Sequence, residues 1–338
     1  MLKYLYNALQ LAKIVEHQTS TNPAVGCVIV NNGKIVGMGA HLIKGEYHAE
    51  VHALKQAGLS ASGATLFVTL EPCSHHGKTP PCTQAIIDGG VKEVIYAHRD
   101  PNSLVHGHHV LEEANIKTTH MPLAEIESFY HQFDITISKQ RPYITIKTAM
   151  SIDGKMHLDN FDSSWITSES SRKDVHQLRH QYDAIAVGAK TYHYDKPRLN
   201  ARLDDYGQQP LPIIFTNQPR DILNDQHQHA ILVGQYGLNP TTALSDLYNQ
   251  GISSILIEGG PTLINQLLTQ RLFDELIVYI APKLLGSRHT IYENPHITSM
   301  EDIQHLTLFS TEQFESDIKL TYRNEVEPCS LDLSIPQD

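Results

Sequence analysis

One histidine, one glutamate and two cysteines in the first third of the chain give the clearest chemical signal. His48 and Glu50 are two residues apart, and Cys73 and Cys82 follow. An imidazole and two thiolates are ligands that zinc takes in catalytic sites, where a fourth position stays open for water. Zinc lowers the pKa of such a water to about 7, and a carboxylate nearby can move its protons. The pattern predicts hydrolytic chemistry at zinc.

Each predicted ligand stands at the end of a predicted element. His48 precedes a helix expected over 49–58, Cys82 opens one over 82–88, and Cys73 follows an apolar strand at 64–70. The positive end of a helix lowers a thiol's pKa and favours the thiolate. Strands and helices alternate through this half of the chain, which predicts a layered α/β sheet.

A structural zinc site is the alternative for one histidine and two cysteines. It would need a fourth protein ligand, which Cys27 or His75 could supply. Cys27 lies in an apolar strand, where a small core residue is the simpler interpretation.

Length and composition restrict the class of protein. A chain of 338 residues is long for one domain, so two are expected. A net charge of −11 argues against a nucleic-acid partner but leaves room for one small phosphorylated ligand. Four scattered cysteines do not form a disulfide scaffold, the first thirty residues do not resemble a signal peptide, and no apolar run could cross a bilayer. We expect a soluble cytoplasmic protein with no membrane partner.

The spacing of the cysteines narrows the prediction. Zinc nucleobase deaminases carry H-x-E and then P-C-x-x-C, whereas eight residues separate Cys73 from Cys82 here. The string EPCSHHGKTPPC at 71–82, together with NPAVGCVIV at 22–30 and His41, resembles the deaminase domain of the bifunctional riboflavin-biosynthesis deaminase/reductases. The resemblance implies that Glu50 is catalytic, that His48, Cys73 and Cys82 bind zinc, and that the substrate is contacted by Asn22, His41, His75 and Lys78.

One segment departs from that family. Its usual pattern is Asp-Pro-Asn-Pro-x-Val-x-Gly-x-Gly, but residues 100–109 read DPNSLVHGHH, without the second proline and the last glycine. These positions are expected in a loop and helix entry beside the site.

The second half resembles the reductase domain of the same family, whose fold is like dihydrofolate reductase. The matching motifs are SIDGK at 151–155, WITS at 165–168, HQLR at 176–179, DAIAVG at 183–188, DKPRL at 195–199, EGGPTL at 258–263 and APKLLG at 281–286. A polar stretch ending in Pro142 suits a linker. We therefore predict a cytidine-deaminase-like α/β/α domain over 1–140 and a dihydrofolate-reductase-like α/β domain over 141–338.

The glycine pair at 259–260 stands between an apolar strand and a helix with proline in its first turn. Such a turn lets backbone N–H groups approach a phosphate, although alone it is more often just a tight turn. It lacks the three spaced glycines of the dinucleotide fingerprint, so no Rossmann domain is predicted. The family context favours a cofactor site.

The resemblance assigns roles in the reductase. NADPH would be bound by Ala149, Trp165, Thr191, Asp195, Gly260, Pro261, Thr262, Leu263, Ile264, Asn265 and Gln266. The substrate would be contacted by Ser163, Arg179, Leu199, Arg202 and Glu258, with the two arginines suited to a ribose phosphate. Lys147 and Asp195 are the candidates for assisting ring opening and protonation. For Trp165 the simpler alternative is core packing, and for Arg179 a solvated helix face.

These expectations combine into one function. The first domain would deaminate 2,5-diamino-6-ribosylamino-4(3H)-pyrimidinone 5′-phosphate with zinc, and the second would reduce the ribosyl group to ribityl with NADPH. A cytosine or guanine deaminase fused to an unrelated reductase is a second interpretation, which the 74–81 insert opposes. An RNA- or metal-binding module on a deaminase scaffold is a third, opposed by Glu50 and the acidic charge. A homo-oligomer is expected.

Overall fold

The computed structural model describes residues 1–19, 22–76, 80–158, 165–203, 209–216, 229–234 and 240–324. The chain divides into two compact units, Met1–Arg141 and Pro142–Asp338. The last helix of the first unit ends at Lys139, so the polar stretch predicted as a linker begins inside a helix. Among the described residues, no helix is both long enough and apolar enough to span a bilayer.

The first unit is built on a five-stranded sheet in the order β2-β1-β3-β4-β5. Strand β1 is antiparallel to both of its neighbours, and β3, β4 and β5 are parallel. Its elements, in chain order, are α1 (Leu2–Ile14), β1 (Gly26–Asn31), β2 (Lys34–Ala40), α2 (Ala49–Ala57), a 3₁₀ turn (Gly58–Ala61), β3 (Thr65–Leu70), α3 (Cys82–Asp88), β4 (Glu93–His98), α4 (Gly107–Glu113), β5 (Lys117–His120) and α5 (Ala124–Lys139).

Two glycines show that helices cover both faces of this sheet. A Cβ on Gly26 would lie 1.9 Å from the Ala8 carbonyl oxygen of α1, and one on Gly39 would lie 2.2 Å from the Ala49 oxygen of α2. Gly39 pairs with Cys27, so Gly26 and Gly39 point to opposite faces. The predicted α/β/α layering of this domain is confirmed.

The second unit is built on an eight-stranded sheet in the order β12-β13-β11-β6-β10-β7-β8-β9. The strands from β11 to β9 in that order are parallel, and the β12–β13 hairpin is antiparallel to β11. Its elements are β6 (Tyr143–Ser151), α6 (Glu169–His180), β7 (Ala184–Gly188), α7 (Ala189–Asp195), β8 (Leu211–Phe215), β9 (Ile231–Val233), α8 (Pro240–Asn249), β10 (Ser254–Ile257), α9 (Pro261–Thr269), β11 (Glu275–Ala281), β12 (Thr307–Phe314) and β13 (Asp317–Arg323).

Strand alternation gives the two faces of this sheet different roles. One face packs against α9 through Ile144, Ile146, Ile255, Ile257, Leu263 and Ile264. The other packs against α6 through Ala149, Val175, Leu178, Leu256, Ile277 and Tyr279. Lys147 alternates with Ile146, and Glu258 follows Ile257, so both point to the face that α6 covers. The chemistry of this unit is thereby placed on one side of the sheet.

Strand β5 and the β12–β13 hairpin are not predicted from the sequence. Strand β5 has four polar residues and lies at a sheet edge, so it has no apolar run or alternation to mark it. Most side chains of β12 are exposed, which removes the same signal.

Candidate active sites

Three side chains converge at one end of the first sheet. The ligand atoms of His48, Cys73 and Cys82 all lie within 4.8 Å of one another. The His48 Nδ1 is 3.5 Å from the Cys73 Sγ and 3.3 Å from the Cys82 Sγ. A tetrahedral zinc with ordinary Zn–S and Zn–N bonds requires N···S distances of about 3.5 Å. Donor set and spacing both fit zinc.

Helix ends and backbone hydrogen bonds position the three ligands. His48 is the extended residue immediately before α2, and Cys82 is the first residue of α3. The backbone N–H of Cys82 lies 3.3 Å from the Cys73 Sγ, and the Thr83 N–H donates to the Cys73 carbonyl at 3.2 Å. The first turn of α3 therefore holds the Cys73 loop against Cys82.

The thiols differ in acidity for a physical reason. Hydrogen bonds from Cys82 and His48 hold the pKa of Cys73 down to about 4. The hydrogen bond with Cys73 and burial raise the pKa of Cys82, and the charges of Glu50 and Cys73 raise it further. The contact with Cys73 also raises the pKa of His48. A divalent cation would neutralise both thiolates, as a coordinated thiol is deprotonated.

Glu50 is a buried carboxylate in the first turn of α2, only 3% exposed. Its Oε2 is buried and has no hydrogen-bond partner among the described residues. Burial, followed by the Cys73 charge, raises its pKa to about 7. A partnerless carboxylate oxygen beside three metal ligands suits a group that exchanges protons with a metal-bound water.

Asn22 and His41 lie together beside the metal ligands. The Asn22 Nδ2 is 3.4 Å from the His41 Nε2, and the Tyr47 carbonyl lies 3.2 Å from the His41 Nδ1. The His41 ring meets the His48 ring edge-on, with 5.0 Å between centroids. His41 is buried, so this pair forms a fixed wall near the zinc ligands.

The other two residues predicted to contact the substrate follow Cys73 in the chain. His75 is exposed, and Lys78 lies outside the described residues. In the segment that departs from the family, His109 replaces glycine within α4 and is exposed, so the helix accommodates it. A Cβ on Gly107 would lie 1.9 Å from the Pro72 carbonyl oxygen, so the retained glycine is the one that the close approach requires.

A buried ion pair is the centre of the second unit. The Arg179 Nε and Nη2 each donate to one Glu258 carboxylate oxygen at 2.7 Å. The pKa of Glu258 is lowered, because Arg179 and Lys147 together outweigh the effect of burial. Desolvation lowers the pKa of Lys147. The Glu258 charge raises this pKa and the Arg179 charge lowers it further, so the net shift is downward. The Nε and Nη2 atoms of Arg179 face Glu258. The remaining nitrogen of the guanidinium, Nη1, points away from Glu258 and donates to the Asn200 carbonyl at 3.2 Å.

The predicted cofactor residues cluster at the start of α9. Gly260 is the residue before this helix, and its N–H donates to the Thr191 Oγ1 at 2.9 Å. Pro261, Thr262 and Gln266 reach the surface, and Asn265 accepts from the Glu293 N–H. The side chains of Leu263 and Ile264 are buried in the core, so only their backbone could contact a dinucleotide. A helix N-terminus flanked by glycine fits a phosphate.

The remaining predicted residues are more dispersed. Ala149 packs on the α6 face beside Tyr279. Trp165 is 69% exposed and lies 5.1 Å from the Arg172 guanidinium, so it is not a core residue. Asp195 ends α7 and is exposed; partial burial raises its pKa and His157 lowers it. Its charge is not among those that act on Lys147, which interacts with Glu258 and Arg179.

Leu199 and Ser163 complete the predicted set. Leu199 is buried in an apolar cluster and has a left-handed backbone (φ 47°), so it turns the chain between Asp195 and Arg202. Tyr192 is buried in the same cluster. Ser163 lies outside the described residues.

His176 and Asp153 are not among the predicted site residues, but both make contacts that position the site. His176 lies between Arg179 and Arg202. The Asp153 carboxylate accepts from the backbone N–H groups of Leu285 and Gly286, so it ties the loop after β6 to the loop after β11. Asp153 belongs to the SIDGK motif and His176 to the HQLR motif. Membership of these motifs was the sequence signal that could have identified them.

Two family models match the chain. The "RibD C-terminal domain" matches residues 142–320, and the "Cytidine and deoxycytidylate deaminase zinc-binding region" matches residues 2–98. The riboflavin biosynthesis protein RibD of Bacillus amyloliquefaciens is 39% identical, covering 94% of this chain and 95% of its own. RibD of Escherichia coli (strain K12) is 40% identical, covering 84% and 88%.

Solved structures agree with these sequence matches. Acinetobacter baumannii RibD (form 1) superposes with a TM-score of 0.87 at 33% identity, covering 96% of this chain and 98% of that chain. The Thermotoga maritima structure titled a diaminohydroxyphosphoribosylaminopyrimidine deaminase/5-amino-6-(5-phosphoribosylamino)uracil reductase gives 0.84 at 30% identity, covering 95% and 98%. With a deaminase zinc-binding region before a reductase domain, the chain belongs to the RibD family of bifunctional riboflavin-biosynthesis deaminase/reductases.

Proposed function

We propose that each unit performs one of two successive reactions on one phosphorylated pyrimidine. The first unit hydrolyses an amino group from 2,5-diamino-6-ribosylamino-4(3H)-pyrimidinone 5′-phosphate, and ammonia leaves. The second reduces the ribosyl group of 5-amino-6-(5-phosphoribosylamino)uracil to ribityl. The convergence of His48, Cys73 and Cys82 near the buried Glu50 carboxylate, whose Oε2 has no hydrogen-bond partner among the described residues, carries this proposal.

In the deaminase, Glu50 moves the protons. Zinc held by His48, Cys73 and Cys82 supplies an activated water when it is bound. The Glu50 carboxylate takes a proton from that water and delivers it to the departing amine, and its raised pKa near 7 suits both transfers. Asn22 and His41 orient the pyrimidine from the adjacent wall, and His75 and Lys78 are further substrate contacts.

In the reductase, charged side chains bind the substrate phosphate and supply the proton for the reduction. NADPH, held at the start of α9 with Thr191, Trp165, Ala149 and Asp195, supplies the hydride when it is bound. The hydride goes to the sugar carbon of the opened ring, and the balancing proton goes to the nitrogen attached to it. Lys147 interacts with the charges of Glu258 and Arg179, and desolvation lowers its pKa, which eases release of its proton. Arg202 and Arg179 hold the phosphate, while Leu199 and Ser163 border the sugar.

One assay tests the proposed function as a whole. The zinc-loaded protein is incubated with the diaminopyrimidine phosphate, and ammonia release and NADPH oxidation are followed together. We expect one ammonia per substrate without NADPH, and one NADPH consumed per ammonia when NADPH is added. NADPH oxidation without ammonia release, or release of ammonia from cytosine or guanine instead, would contradict the proposal.

Two further parts of the proposal concern the setting of the enzyme. We propose that it works in the cytoplasm, where its phosphorylated substrate would be retained, and as a homo-oligomer. Sedimentation velocity of the zinc-loaded protein tests the second part, and a single species with the mass of one 37.9 kDa chain would contradict it.

A further inference from the structure

His176, a half-buried residue of α6, stands between the two arginines assigned to the phosphate. The Arg202 Nε–H donates to the His176 Nε2 at 3.2 Å, and the Arg202 Nη2 lies 3.0 Å from the same atom. On the other side of the ring, Nδ1 is 3.3 Å from the Arg202 backbone N–H and 3.5 Å from the Arg179 Nη1. The imidazole therefore links two guanidinium groups.

N–H groups of the two arginines surround this ring. A neutral imidazole accepts at one nitrogen and donates at the other. Arg179 and Arg202 place donors at both nitrogens of His176, and the Asn200 backbone supplies an acceptor for the ring N–H. An anion bound to the arginines would add a second acceptor beside the ring, which favours the form with a proton on both nitrogens.

We propose that His176 is the third member of the phosphate-binding group: it holds Arg202 in place in the free enzyme and binds a proton when the substrate phosphate arrives. Three cationic side chains then face the phosphate. This inference rests on the proposed reductase function and names one more residue of the same site.

The charges around His176 set the sign of the pH dependence. Burial lowers its pKa, and so do Arg179 from its own helix and Arg202 from the loop after α7. Glu258, the residue after β10, and a hydrogen bond with the Asn200 backbone raise it, but the net shift is downward. In the free enzyme the ring is therefore neutral near pH 7. A phosphate dianion adds negative charge beside it and raises its pKa, so substrate binding takes up a proton.

The test is the pH dependence of the reductase KM. The zinc-loaded enzyme is assayed with NADPH and 5-amino-6-(5-phosphoribosylamino)uracil between pH 6.5 and 8, where a phosphate with a second pKa of about 6 stays mostly dianionic. His176→Ala removes the ring, and His176→Gln keeps an acceptor that cannot titrate. His305→Gln, an exposed histidine before β12, is the matched control.

For the wild type and His305→Gln we expect KM to rise several-fold from pH 6.5 to 8. His176→Ala should raise KM at pH 6.5 about tenfold with kcat within about twofold, the size expected for a lost hydrogen bond to a charged group. His176→Gln should recover part of that loss, with a KM independent of pH. A kcat within about twofold of wild type shows that the reductase unit of each variant is folded.

Two results would overturn the inference. One is a His176→Ala enzyme whose KM stays within twofold of wild type; the other is a His176→Gln enzyme that keeps the wild-type pH dependence. A wild-type enzyme that does not oxidise NADPH with this substrate would instead contradict the proposed function, so the two failures are distinguishable.

Discussion

The two candidate sites are built on different physical principles. In the first unit, three ligand atoms that lie within 4.8 Å of one another and one buried carboxylate come from the stretch between His48 and Cys82. In the second, Arg179 and His176 come from α6, Arg202 from the loop after α7 and Glu258 from the residue after β10, and they bind one another. The first site has the donor set of a metal centre. The second is built on an internal ion pair, so a substrate must compete with it or join it.

That difference teaches where each site is vulnerable. A metal centre depends on each ligand separately, because loss of one changes the geometry of all the others. A charge network depends on its pairs, because removing one partner leaves a buried charge uncompensated. Substitutions should therefore stop chemistry in the first unit and lower stability in the second.

The largest effect is expected from a zinc ligand. Cys82→Ser should release most of the zinc and lower ammonia release by at least about 10³-fold. The reason is that His48 and Cys73 alone are too few ligands to hold the metal tightly. Atomic absorption and an ammonia assay measure both. Cys27→Ala is the matched control, since this buried thiol is not among the converging ligands. Zinc loss from Cys27→Ala as well would favour a structural four-ligand site and weaken the comparison.

The ion pair of the second unit should show the opposite behaviour. Glu258→Gln leaves the Arg179 guanidinium largely buried and unpaired, which costs about 3 kcal/mol. We expect the temperature that halves NADPH oxidation to fall by roughly 6–12 °C, from a dependence of about 2–4 °C per kcal/mol, with ammonia release after the same heating unchanged. The exposed Glu301→Gln gives the baseline for losing a carboxylate. A Glu258→Gln enzyme as heat-stable as that control would show that the pair is not structural.

How much of each site the sequence predicts follows from the same difference. The zinc ligands lie at the ends of local elements, and a motif of local spacing is enough to identify them. Helix α3 is predicted residue for residue, because Pro81 and Gly89 mark its ends. The sequence could not reveal that the Arg179 fork faces Glu258, since 79 residues separate them and only the fold brings them together.

Burial explains the other differences. Leu199, Leu263 and Ile264 match family motifs, but their side chains lie in the core, and a sequence cannot separate a backbone contact from a side-chain contact. Trp165 is exposed although tryptophan side chains are usually buried. Its hydrophobicity alone predicts core packing, whereas the WITS motif around it predicts a binding role. His176 was visible within HQLR, but nothing in its spacing linked it to Arg202.

The smallest expected effect lies outside both sites, at His98, the last residue of β4. Burial lowers the pKa of His98, but hydrogen bonds and charges from Asp134 and Glu127 more than offset it, so the net shift is upward. Its contribution to stability is therefore full below about pH 6.5 and is lost as the pH rises through the folded pKa. Because both carboxylates are partly exposed, we expect on the order of 0.5–1 kcal/mol.

Urea titrations with zinc release as the signal measure this effect. The wild type should lose stability between pH 6 and 8.5, and the His98→Gln enzyme should lose less. Equal slopes in the two proteins would show that His98 does not couple stability to pH, and the first unit would then owe its pH dependence to the metal ligands alone.

The central claim is that Glu50 performs the proton transfers of a deaminase that is chemically separate from the reductase. Glu50→Gln keeps the shape of the side chain and removes its ability to take a proton. We predict a protein with normal zinc content, ammonia release lowered about 10²–10⁴-fold, and NADPH oxidation within twofold of wild type when the already deaminated substrate is supplied. Near-normal ammonia release with zinc bound would contradict the account.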